Sequence, residues 1–135
     1  GKRSALYIGA SHKIILAHLP EELQNKIIDE GIESQSKQIP SKEKLMERLE
    51  TIKREGWCFS EGETFDDVAA CSVPLFDSKH QILGSLSIAG PKYRFSQQEG
   101  EEKLPALLEN VEKLNSILSK VNFPSRRNYL TKKFI

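Results

Sequence analysis

The chain has little of what usually advertises chemistry. Among its 135 residues are two cysteines, three histidines, one tryptophan and one methionine, and aromatic residues make up 7%. Cys58 and Cys71 stand 13 positions apart with no CxxC and no neighbouring histidine pair, which excludes a spelled-out zinc motif or redox dithiol and predicts two reduced, buried thiols. His12, His18 and His80 are scattered, none at ligand spacing from another, so no metal site is expected. Neither GxGxxG nor GxxxxGK[ST] occurs, and no cofactor is expected. Apolar runs such as Val68–Phe76 fall far short of the ~18 residues a bilayer span requires, and no signal-peptide pattern follows the basic start. The expectation is a cytoplasmic protein with no membrane partner. Charge of one sign is also missing. Twenty basic residues face 19 acidic ones, a net +1, which excludes a general polyanion-binding surface.

What is present reads as one folded unit. At 38% hydrophobic and 29% charged, the composition supports a core under a solvated surface. Ser11 is a candidate N-cap for a short helix carrying Ile14, Ile15, Leu16 and Leu19. Pro20, Glu21 and Glu22 start a second helix with Leu23, Ile27 and Ile28 on its stripe and Gly31 as its stop. The polar stretch Ile32–Pro40 reads as loop. Ser41 caps a third helix with Leu45, Met46, Leu49 and Ile52 facing the core, ended by Gly56. Beyond Gly56 the period shortens to that of strands: Trp57–Ser60, an acidic turn over Ser60–Asp67, then Val68–Phe76, a turn at Asp77–His80, and Ile82–Ala89 closed by Gly90–Pro91. A final helix from about Glu99 to Val121 carries Leu104, Leu107, Leu108, Val111, Leu114 and Leu118, with Pro105 tolerable only near its beginning. Helices flanking an antiparallel sheet make the fold class α+β. From Lys120 onward the chain has five basic residues and no acidic one, a basic tail expected to fold back on the acidic body.

The hairpin is the most informative stretch. Alternation puts Ala69, Cys71, Val73 and Leu75 on one face of the first strand and Ala70, Ser72 and Pro74 on the other. On the second strand it groups Ile82, Gly84, Leu86 and Ile88 against Leu83, Ser85, Ser87 and Ala89. Each strand therefore has one bulky face and one made mostly of small or hydroxyl-bearing side chains. Two readings stay open for the small face: a closely packed helix, or a cavity whose hydroxyls bind a guest. Pro74 removes a ladder donor and marks a bend or an edge. The run Tyr7, Ile8, Gly9, Ala10, Ser11, His12 leads small residues into a helix N-terminus, where a carboxylate would suit the free amides. The acidic group Glu61, Glu63, Asp66, Asp67 reads as a solvated turn. No catalytic constellation is spelled out, and Cys71 lies mid-strand rather than at an elbow.

Four segments carry a resemblance. Gly9–Ala17 (GASHKIILA), Ile52–Glu63 (IKREGWCFSEGE), Asp67–Asp77 (DVAACSVPLFD) and Gly84–Pro91 (GSLSIAGP) together resemble, in order and spacing, the C-terminal effector-binding domain of the isocitrate lyase regulator (IclR) family of bacterial transcription factors. The likeness covers about the first two thirds of the chain, and the last helix fits it. It implies a GAF-like antiparallel sheet flanked by helices, in which a small metabolite, often an organic acid, binds between the sheet and the segment before the first pocket helix. Carried onto matching positions, the implied lining is Tyr7, Gly9, Ala10, Ser11 and His12 on one side, Glu63, Ala70, Ser72 and Pro74 on a second, and Ser87 and Ala89 on a third. These sheet positions coincide with the small face.

The resemblance further implies an effector-binding domain over residues 1–121, a tail over 122–135, and a longer protein whose upstream strands and winged helix-turn-helix this chain does not include. DNA would be bound only through that other domain. Partners would be the metabolite and further copies of the chain, as dimer or tetramer, the ligand acting by its different affinity for two subunit arrangements. No enzyme activity is expected. The alternatives are a small thiol-dependent enzyme using Cys71 and an oligomerisation module without ligand.

Overall fold

The computed structural model describes residues 4–34 and 41–120. The order along the chain is α1 (Ala10–Ala17), α2 (Glu21–Ser34), α3 (Lys42–Glu55), β1 (Cys58–Glu61), β2 (Val68–Phe76), β3 (Ile82–Pro91) and α4 (Gln97–Leu118), with a 3-10 turn at Lys92–Arg94 before α4. The strands form one antiparallel sheet in the order β1-β2-β3. The α+β expectation holds, as do the three strands and their tight hairpin. The basic tail over 122–135 lies outside the described residues.

Local sequence explains most element boundaries. Ser41 Oγ accepts from the Lys44 amide at 3.3 Å to open α3, and Gly56 closes it in the left-handed conformation. At α4 the cap is Ser96, whose hydroxyl accepts from Glu99 N at 3.3 Å while Glu99 returns a carboxylate oxygen to Ser96 N at 2.7 Å. Pro105 sits inside α4, at its ninth residue rather than near its beginning, on the exposed flank where a missing amide hydrogen bond is least costly. In the hairpin turn Asp77 Oδ1 accepts from the amides of Lys79 and Gln81 at 2.8 and 2.9 Å.

Two helix boundaries depart from expectation. The N-cap of α1 is Gly9, with no side-chain cap, and Ser11 lies within the helix. Gly9 has φ +87°, and a Cβ there would stand 2.6 Å from Thr64 Oγ1, so both backbone and space demand glycine. Gly31 does not stop α2, which runs on to Ser34. Its glycine serves close approach instead: a Cβ would lie 2.4 Å from Tyr7 Cε1. Sequence alone shows a glycine near the end of an apolar stripe, and only tertiary contact tells a stop from a seat for a ring.

The sheet divides the core in two. Ala69, Cys71 and Val73 are buried with Phe95 and Leu107, joined by Leu86, Ile88, Leu104 and Val111 beneath α4. On the other face α1, α2 and α3 bury Ile14, Leu16, Ile28, Leu45, Leu49 and Ile52 together with Cys58 and Ile82. Ile82 was expected beside Leu86 and Ile88, and the structure puts it on the opposite side. The register accounts for this: Leu75 pairs with Gly84 but Phe76 pairs with Ile82, so one extra residue is inserted in β3 and everything before Gly84 changes face. Gln24 ties the helices together, its buried Nε2 donating to the carbonyls of Leu16, Ala17 and Leu19 at 2.9, 3.0 and 3.1 Å, closing the end of α1.

Candidate functional site

The small face survives in three dimensions. In register, Ser60 stands beside Ala70 and Ala70 beside Ala89, while Ser72 stands beside Ser87 and Pro74 beside Ser85. The hydroxyls of Ser72 and Ser87 are 2.6 Å apart. Ser72 is fully buried, whereas Ser87 and Ala89 are exposed. The difference follows from how α1 crosses the sheet. Its first turn is tied to β1, Ala10 N donating to Ser60 Oγ at 2.9 Å. Its far end reaches the hairpin end, where the His18 ring meets Phe76 edge-on at 5.1 Å. Ala70 and Ser72 are covered, and the β3 half of the small face next to the start of α1 is left open.

The sequence-predicted residues fall into two groups, with Tyr7, Ser11 and His12 apart from both. Gly9, Ala10 and Glu63 meet: Glu63 Oε2 accepts from Gly9 N at 2.9 Å and Oε1 from Lys13 Nζ at 2.7 Å. Ala70, Ser72, Pro74, Ser87 and Ala89 form the sheet floor. Tyr7 is buried against Gly31 in the helical core, and acts as a wall of the fold. His12 donates from Nδ1 to the Ile8 carbonyl at 2.9 Å, which fixes its ring against its own backbone; Ser11 is half-buried in the first turn. The structure adds Ser60 and Lys13, which sequence reasoning missed. Lys13 is buried on the core side of α1, and its partner lies 50 residues away. A lysine at an inward position of an amphipathic helix is the signal that could have found it, since such a charge requires a counter-ion.

Two cavities are formed, one between the sheet and α4 and one among the helices. One, of about 290 Å³, opens between β3 and α4 and is lined by Leu86, Ser87, Ile88, Leu107, Asn110 and Leu114 among others. Another, of about 190 Å³, lies between Ala17, Leu19, Gln24, Met46 and Leu49, where the end of α1 meets α2 and α3. Of the sequence-predicted lining, Ser87 alone borders either of them.

Both cysteines are free and buried. Burial first, then the nearby Cys58 and Glu101, pushes the Cys71 thiol up to about 11. Cys58 is also raised by burial, against the lowering influence of Lys13 and Arg48. A protonated thiol in the middle of a strand is a poor nucleophile.

The chain matches the family model described as bacterial transcriptional regulator IclR C-terminal over residues 1–116. It belongs to that family. Among curated relatives of this IclR C-terminal domain is the HTH-type transcriptional regulator KipR of Bacillus subtilis (strain 168), 36% identical over 117 residues, 82% of this chain and 44% of KipR. The HTH-type transcriptional regulator KdgR of Escherichia coli (strain K12) is 28% identical over 127 residues, 92% of this chain and 48% of KdgR. The chain thus spans less than half the length of these regulators. The crystal structure of the C-terminal domain of E. coli KdgR superposes with a TM-score of 0.74 at 28% identity, covering 88% of this chain and 74% of that one. The fold is shared with the PobR inducer-binding domain from Acinetobacter, solved as a 3-hydroxybenzoic acid complex, at a TM-score of 0.72 and 21% identity over 85% of this chain and 67% of that one. These relatives are named as regulators, not enzymes.

Proposed function

We propose that this IclR C-terminal domain binds a small organic acid between the open half of the small face and the Gly9–His12 segment, and that binding changes how subunits of the longer regulator are arranged and so its affinity for operator DNA, held by a domain outside this chain. The observation that carries the reading is the pair Ser72 and Ser87 at the border between the covered and the open floor, with a helix start alongside. Hydroxyls there orient a polar guest, and the first amides of α1 favour an anion. The PobR domain, solved with a hydroxybenzoic acid, supports this ligand class. Two subunit arrangements are required, because a ligand that binds both equally shifts neither. The surroundings of the two thiols oppose a cysteine enzyme.

The test is a thermal-shift screen of keto acids, sugar acids and aromatic acids on the wild type and on Ser87→Leu, at an exposed position. The expected result is stabilisation of the wild type by at least one acid and none of the variant by that acid. An acid that stabilises both equally would refute the assignment of the pocket. A second reading, an oligomerisation module without ligand, is favoured by the full burial of Ser72; it predicts no stabilisation by any acid.

A further inference from the structure

A lysine with 8% of its side chain exposed is an unusual component of a helix start, and Lys13 has Glu63 as its ion-pair partner among the described residues. Its partner is of a different kind. Glu63 keeps 37% of its side chain exposed and belongs to the turn between β1 and β2, whose residues Glu63–Asp67 are all exposed. That turn is held by Gly62 N donating to Val68 O at 2.9 Å and Val68 N to Phe65 O at 3.1 Å. One carboxylate therefore occupies two donors at once, the Lys13 ammonium and the Gly9 amide, while the neighbouring Ala10 amide is taken by Ser60.

A buried cation must keep an anion, but nothing requires that the anion come from the same chain. Glu63 reaches in from solvent on a short turn; Lys13 is fixed in the helix. We infer that Glu63 is an internal stand-in for a ligand carboxylate: a monocarboxylate takes its place on Lys13 and Gly9, and the turn carrying Glu63 is released. The inference rests on the reading of this region as the effector pocket and adds to it the residue that takes the acid group and the segment that moves. In the ligand-free chain the site is self-occupied, so apparent affinity is lowered by the fraction of time Glu63 holds it. Displacement couples the helix start to the β1–β2 turn, which carries Phe65, 58% exposed, on its outer side.

The test uses acetate, the smallest such carboxylate, with chloride at equal ionic strength as the reference, on the full chain. Glu63→Ala melts below the wild type in chloride, and acetate restores its melting temperature saturably, with a half-saturating concentration at least tenfold lower than in the wild type. The double variant Lys13→Met, Glu63→Ala shows no gain specific to acetate. Should Glu63→Ala not fold, Glu63→Gln, which keeps the length and removes the charge, gives the same comparison. In the wild type, saturating acetate speeds amide exchange at Gly62 and Val68. Equal responses to acetate and chloride in the Glu63 variants, an equal acetate response in the double variant, or unchanged exchange at Gly62 and Val68 would each overturn the inference. Acetate on the Glu63 variants reports on Lys13 and the Gly9 amide, and the acid screen on Ser87→Leu reports on the sheet floor, so either can fail while the other stands.

Discussion

Replacing Gly31 by alanine reverses the usual consequence of such a change. Within a helix, Gly→Ala ordinarily stabilises by about 1 kcal/mol through backbone entropy and helix propensity. Here the new methyl would stand 2.4 Å from Cε1, 2.9 Å from Cζ and 2.9 Å from Oη of Tyr7, well inside contact distance. Those atoms belong to a rigid ring that is 8% exposed within the helical core, so relief requires the ring or α2 to move. Overpacking of this kind costs about 1–3 kcal/mol, and full expulsion of the ring would forfeit about 1.5–3 kcal/mol of burial. Set against the gain in propensity, Gly31→Ala should fail to stabilise and lower stability by up to about 2 kcal/mol. Urea unfolding followed by far-UV dichroism measures it as a lower midpoint at unchanged slope. In a Tyr7→Ala background the clash is gone and the same substitution should stabilise, giving a coupling energy of at least about 1 kcal/mol between the two positions. If Gly31→Ala stabilises the wild type as much as it does Tyr7→Ala, the close approach of α2 to the Tyr7 ring is wrong.

Further outcomes follow from two buried groups. Because burial, with Cys58 and Glu101, holds the native Cys71 thiol at about 11 against 9.0 ordinarily, the native state keeps a proton that the unfolded chain loses. Its contribution is therefore intact below pH 9 and is lost as pH rises toward 11, about 2–3 kcal/mol at the rate of ~1.4 kcal/mol per unit; Cys71→Ala should flatten the alkaline limb of stability against pH, and an unaltered limb contradicts the assignment. Iodoacetamide at pH 7 should label Cys71 in the folded chain far more slowly than in urea. Gln24→Met keeps the volume but removes the donor to Leu16, Ala17 and Leu19 carbonyls, and should cost about 1–3 kcal/mol in urea unfolding; a loss under half a kilocalorie would mean that water replaces the amide.

The residues that announced themselves in sequence were those whose role is local. Ser41 bounds α3 through its hydroxyl and Gly56 through its backbone freedom, the β2 strand is where its β-rich run lies, and alternation in the hairpin identified the face with Ser72 and Ser87. What could not be read locally depends on contacts made across the fold. Gly31 looks like a stop until Tyr7 is packed on it. Ser11 looks like a cap until Gly9, forced to positive φ beside Thr64, takes that place. Ile82 follows the alternation of Leu86 and Ile88 until the bulge inverts it. Lys13 and Ser60 enter the site through partners 50 residues away, a distance at which spacing rules say nothing.

The bulge beside Phe76 also governs what this domain can change without unfolding. By turning Ile82 to the same side as Phe76, it makes the hairpin end of that face greasy while the end near Glu61 stays polar and small. Helix α1 spans both ends, anchored by apolar packing at one and held by hydrogen bonds at the other. Under the proposed pocket, substitutions at Ser60, Ser87 or Ala89 would retune what is recognised and leave the anchoring end untouched. A scaffold divided in this way can diversify its chemical taste residue by residue while its fold stays the same.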